Sequence, residues 1–72
     1  MNTATTGIYL NGEPADVAAE TLMDVLAFLD IDADQRGVAV AVNGTVVPRR
    51  SWAETHISAG DDVEVINAVQ GG

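Results

Sequence analysis

The chain has 72 residues, 47% of them apolar, no cysteine and no lysine, and eleven acids against three arginines for a net charge of −8. That is one small domain, burying about 60% of the surface its unfolded chain exposes, and too apolar to stay disordered. It excludes a disulfide framework, a thiolate metal site and a cysteine nucleophile. It also argues against nucleic acid or an anionic membrane as partner, and it suits steering toward basic protein surfaces.

Residues 1–6 read as a loose leader, with neither the basic start nor the apolar stretch of a signal peptide. No apolar run approaches the roughly 18–20 residues of a membrane span, so the default expectation is a cytoplasmic protein. Residues 7–10 form a short strand with Ile8 and Leu10 on one face. Asn11-Gly12 is a strong hairpin turn, because both central residues of a type I′ turn need positive φ. The return strand covers residues 13–17, and Pro14, lacking an N–H, places it at a sheet edge.

Thr21 and Asp24 have the spacing of a capping box, with an Asp shorter than the usual Glu. Leu22, Val25, Leu26 and Leu29 follow at i, i+3, i+4 and i+7, one apolar helix face destined for the core. Phe28 lies at the flank of that stripe. The helix ends near Asp30, and residues 31–37 form a polar loop plugged by Ile31.

Residues 38–42 alternate valine and alanine and have no polar side, the mark of a central or covered strand. Asn43-Gly44 is a second hairpin turn into residues 45–47, and Pro48 closes that strand. Arg49 and Arg50 are expected to be exposed. Ser51 and Glu54 repeat the capping-box spacing around a single helical turn, and Trp52 anchors it to the core. His56, the lone histidine, has no nucleophile and acid beside it in sequence and reads as structural or exposed.

Residues 59–62 make a turn, and residues 63–68 a last strand with Val63 and Val65 inward and Glu64 outward. Ile66 falls on the outer face with Glu64, where period-2 alternation expects a polar side chain. It is either a scattered surface apolar residue or a docking point. The strand then runs through Val69-Gln70 into Gly71-Gly72. Two glycines make a thin filament without Cβ atoms. It carries an α-carboxylate that is ionised at neutral pH, a poor electrophile needing activation by another molecule. The bland alternative is an inert tail.

The order hairpin, helix, hairpin, short turn, strand gives an α+β fold: a mixed four- to five-stranded sheet on one main helix. This layout resembles the β-grasp, ubiquitin-like roll. Val42-Asn43-Gly44, Val47-Pro48-Arg49, Trp52, Ile57, Gly60-Asp61, Val63-Glu64-Val65 and the terminal Gly71-Gly72 together resemble the ThiS family, the bacterial sulfur carrier proteins of thiamine thiazole biosynthesis. The resemblance covers residues 7–68 as the β-grasp domain and 69–72 as a flexible reactive tail. The leader and Ile66, where an aromatic is expected, depart from it.

The resemblance implies a carrier and substrate rather than an enzyme. An adenylyltransferase of the ubiquitin-activating type would use MgATP to adenylate the Gly72 carboxylate, and the carrier itself would bind no cofactor. A sulfur-donating persulfide protein would convert the adenylate to a thiocarboxylate, and a thiazole synthase would take its sulfur. Val69 and Gln70 would lead Gly71 and Gly72 into a narrow site, with Ile66 and Glu64 as docking residues. The alternatives are the small sulfur carrier subunit of molybdopterin synthase, a ubiquitin-like protein modifier, and a plain interaction domain. Without lysine, the chain has no side chain on which to build lysine-linked chains of itself. An independent enzyme lacks support, since no nucleophile–base pair, metal cluster or phosphate-cradling glycine loop appears.

Overall fold

The computed structural model describes residues 4–68. Its strands are β1 (Thr6–Leu10), β2 (Glu13–Val17), β3 (Val38–Val42), β4 (Thr45–Val47) and β5 (Asp62–Asn67), with one α-helix, α1 (Leu22–Phe28), and a 3₁₀ helix, Arg49–Glu54. The sheet has five strands in the order β2-β1-β5-β3-β4. β5 is parallel to β1, and the other neighbours are antiparallel. The last strand in the chain therefore sits in the middle of the sheet, as expected for the β-grasp α+β class.

Both hairpins close as their Asn-Gly pairs dictate. Asn11 and Asn43 have φ of 52° and 51°, and Gly12 and Gly44 both have φ of 84°. Each asparagine also does something the turn does not require. The Asn11 N–H donates to the Val63 carbonyl at 2.9 Å, and its Oδ1 accepts from the Val65 N–H at 2.8 Å. On the opposite edge of β5, the Asn43 N–H donates to the Asp62 carbonyl at 2.7 Å. Asn43 Oδ1 accepts from the Asp62 N–H at 2.9 Å, and its Nδ2 donates to Asp61 Oδ1 at 3.1 Å. The two turns thus pinch the central strand from both sides.

Pro14 pairs with Tyr9 in the β1–β2 hairpin. A two-residue loop makes Leu10–Glu13 a hydrogen-bonded pair, so Tyr9–Pro14 is a non-bonded one and the proline ring points to the free edge of the sheet. That edge loses a donor and is a poorer template for another strand.

Helix α1 begins where the capping-box spacing placed it. The Asp24 carboxylate reaches back to the N–H groups of Glu20 and Thr21 at 2.8 and 3.2 Å. The shorter Asp side chain therefore suffices. These backbone donors hold the Asp24 carboxyl below its ordinary pKa of 3.8. The helix ends in a Schellman motif: Ile31 N–H to Leu26 O at 2.9 Å and Asp30 N–H to Ala27 O at 3.0 Å, with Asp30 at φ 60°. Ile31 then folds back as a partly buried plug.

The core lies between one face of the sheet and α1. Leu22, Val25 and Leu26 from the helix meet Ile8, Leu10, Val40, Val63 and Val65 from the strands, with Trp52 and Ile57 closing the end. Leu29 is only partly buried, at the rim. Three sequence expectations need adjustment. β1 begins at Thr6, inside the expected leader. The 3₁₀ helix starts at Arg49, two residues before Ser51, because Pro48 at φ −65° launches the turn; no side chain caps it. β3 lies inside the sheet in strand order, yet its alanine face is uncovered and Ala39 is exposed. Alanine exposes little apolar area, so a bare face there costs little.

Candidate functional site

Strand alternation sorts the sheet into a core face and an open face. On β5, Val63 and Val65 point to the core, while Asp62, Glu64 and Ile66 point away from it. Ile66 lies opposite Ala39, and Glu64 opposite Ala41. Ala41 in turn lies opposite Val46 on β4. On the other side of β5, Tyr9 is aligned with Asp62. Ile66 is 63% exposed, Val46 72% and Tyr9 51%. The open face is therefore an apolar strip of Ile66, Ala39, Ala41 and Val46, with Glu64 at its centre and Tyr9 across the strand. The exposed apolar residues of this face form a patch of the kind that marks docking surfaces.

Ile66 has an apolar neighbour across the strand in Ala39. It belongs to a patch that its neighbours in sequence do not reveal. Tyr9 and Val46 were missed as candidates. The signal for Val46 was present: counting in twos along β4 from the Asn43-Gly44 turn puts Val47 inward and Val46 outward. Ile66 and Glu64 come together on this face as the sequence expected. Val69, Gln70, Gly71 and Gly72 lie outside the described residues.

The point where the strand gives way to those four residues is built from one loop. The Ala68 N–H donates to the Gly37 carbonyl at 2.8 Å, the last rung between the two segments. Gln35 Nε2 donates to Asn67 Oδ1 at 2.8 Å. Gly37 has φ 79°, and a Cβ there would stand 2.6 Å from the Ala68 carbonyl oxygen. Glycine is required twice over, by backbone angle and by close approach. The loop is held from behind by Arg49, whose Nη2 donates to the Gln35 carbonyl at 2.7 Å. The same guanidinium lies over the Trp52 ring, 4.7 Å from its centroid. Arg49 is exposed, as expected, but it is engaged on two sides.

His56 is exposed and forms an isolated β-bridge with Thr21. Among the described residues, no group of three or more His, Cys, Asp or Glu side chains is placed to hold a metal ion. Nor is any helix there long and apolar enough to cross a membrane.

Three comparisons bear on this arrangement. The sequence model of the ThiS family matches residues 8–72. A sulfur carrier protein ThiS from Thermus thermophilus is 37% identical over 70 residues, covering 90% of this chain and 98% of that one. A thiazole synthase from Paramagnetospirillum magneticum is 31% identical over 65 residues, covering 90% of this chain but only 20% of the synthase. Among solved structures, the crystal structure of the thiamine biosynthesis protein ThiS from Geobacter metallireducens superposes with a TM-score of 0.74 at 28% identity. That match covers 93% of this chain and all of that one.

Proposed function

Because the chain belongs to the ThiS family, we propose that it is a sulfur carrier of thiamine biosynthesis and that the Gly72 carboxylate is its loading point. The observation that carries this reading is spatial. The open apolar face includes Ile66, two residues before Ala68 on the same segment of chain that leads in sequence to Gly72. A partner that covers the face has the reactive end within reach.

In this reading the chain is the substrate, and the catalytic groups belong to its partners. A carboxylate oxygen of Gly72 attacks the α-phosphorus of MgATP on an adenylyltransferase, and pyrophosphate leaves. The acyl carbon now bears AMP, a good leaving group. The terminal sulfur of a protein persulfide attacks that carbon, AMP departs, and an acyl disulfide remains. A thiol then attacks the outer sulfur, forming a disulfide with the donor and freeing the thiocarboxylate on Gly72. A thiazole synthase takes the sulfur. The Paramagnetospirillum thiazole synthase, one-fifth of which is similar to this chain, supports the synthase as a partner.

Ordering a tail costs about 1–2 kcal/mol of backbone entropy per residue, which the docked face must offset. Fully burying one aliphatic side chain contributes about 1.5–3 kcal/mol, enough to offset one or two ordered residues, so the rest of the face must supply the remainder. In this reading Ile66 is such a side chain, with Ala39 opposite it, and Gly71 and Gly72 pass where a Cβ would clash. The test is ATP–pyrophosphate exchange with the adenylyltransferase. One residue added after Gly72 is expected to abolish exchange. Ile66→Glu is expected to raise KM for the carrier by at least about tenfold, roughly 1.4 kcal/mol, with the fold intact. Normal exchange with the extended chain would end the proposal.

A further inference from the structure

We propose that Arg49 is a positioning residue for the carrier's reactive end. It holds Asn67 and Ala68, from which the reactive end continues, through the Gln35–Gly37 loop, a role that rests on the sulfur carrier reading above.

The argument starts from what holds the end of β5. On its β1 side, parallel pairing covers only Tyr9–Asp62 and Leu10–Val63. Asn11 extends the support by one side-chain bond to the Val65 N–H. No described strand flanks residues 66–68 on that side. On the other side, β3 pairs as far as Val38–Asn67. Beyond it, Ala68 is held by the Gly37 carbonyl alone among the described backbone groups. The position of Ala68 is therefore set by where Gly37 and Gln35 stand.

Ile31 and Ala33 root the start of that loop in the core, and the Gln35 N–H donates to the Asp32 carbonyl at 2.9 Å, but its end at Arg36 and Gly37 is exposed. Its fixed point is Arg49. Trp52 provides the rigid base: it is 2% exposed, and its Nε1 donates to the Val47 carbonyl at 2.8 Å. The Arg49 guanidinium stacks on that ring and reaches the Gln35 carbonyl with one Nη. From Gln35 the connection continues by the side-chain bond to Asn67 and by two residues of chain to Gly37 and Ala68. A planar fork both stacks and donates at a fixed angle, whereas a lysine ammonium at the end of a flexible stem does not. Arg50, next in sequence, has no such contact among the described residues.

The test compares Arg49→Lys, Arg49→Ala and Arg50→Ala by amide hydrogen exchange and by steady-state adenylation. In both Arg49 variants the Ala68 amide is expected to exchange about tenfold faster, while the Val65 amide keeps its protection, since local opening is read residue by residue. KM for the carrier is expected to rise about fivefold with kcat nearly unchanged, the mark of lost pre-organisation. Arg50→Ala is expected to match the wild type in both readouts. Unchanged Ala68 exchange in Arg49→Lys would overturn the proposal. So would an equal effect from Arg50→Ala, which would make the effect one of charge. If Arg49→Ala loosens the Val65 amide as well, the lysine variant decides. Should the wild-type chain fail to be adenylated, the sulfur carrier reading falls, while the Ala68 amide still reports on the positioning role.

Discussion

Asn11 and Asn43 show how much one side chain carries in a domain this small. Each satisfies the positive φ of its turn, and each then bonds the central strand from a different edge. The turns were legible in the sequence because Asn-Gly has a local conformational reason. The clamps were not, because they depend on which strand lies alongside, and Val65 is 54 residues from Asn11. Asn11→Gly keeps the turn but leaves the partly buried Val65 N–H without its acceptor. It is expected to cost about 1–2 kcal/mol in urea unfolding. Asn11→Asp keeps both the turn and the acceptor oxygen and is expected to stay within about 0.5 kcal/mol of wild type. Equal losses in the two variants would show that the bond to Val65 contributes nothing.

At the scale of elements, helix α1 depends on its ends as much as on its buried face. Seven residues are too few for a helix to persist alone. The capping spacing and the apolar stripe could be read in advance, because both are local patterns. The start of the 3₁₀ helix could not, because Pro48 overrode the Ser51 signal. Asp24 makes the helix start sensitive to acid. Its pKa is lowered in the fold by the backbone donors of Glu20 and Thr21. A depressed folded pKa means that the unfolded chain binds the proton first as pH falls. The contribution is therefore complete above the ordinary value of 3.8 and disappears as pH drops through the lower folded value. Thermal melts of wild type and Asp24→Asn are expected to differ at neutral pH and to converge in strong acid. A constant difference at every pH would remove the carboxylate from the explanation.

For the molecule as a whole, the sheet presents one face to its own core and leaves the other open. The chain carries a net charge of −8, which in the proposed reading favours encounter with a basic partner surface. Association with the adenylyltransferase is expected to slow by about tenfold as ionic strength rises from about 0.01 M to about 0.15 M, where the screening length shrinks from about 30 to about 8 Å. A flat profile in stopped-flow binding would mean that the acids only solvate the domain. The roll itself was readable from element order. The outer patch was readable only in part, since Ile66 stood out by its parity on β5, while its companions Ala39, Ala41 and Val46 belong to other strands.

The central place of β5 has a consequence during synthesis. A ribosome that has not yet delivered residues 62–67 holds two hairpins with no keystone between them, and non-local pairing of this kind forms late. Completion of the sheet therefore waits until translation is within a few codons of the glycines. A chain stopped before residue 62 would lack the strand that joins the two hairpins and would not offer a loading enzyme a completed sheet.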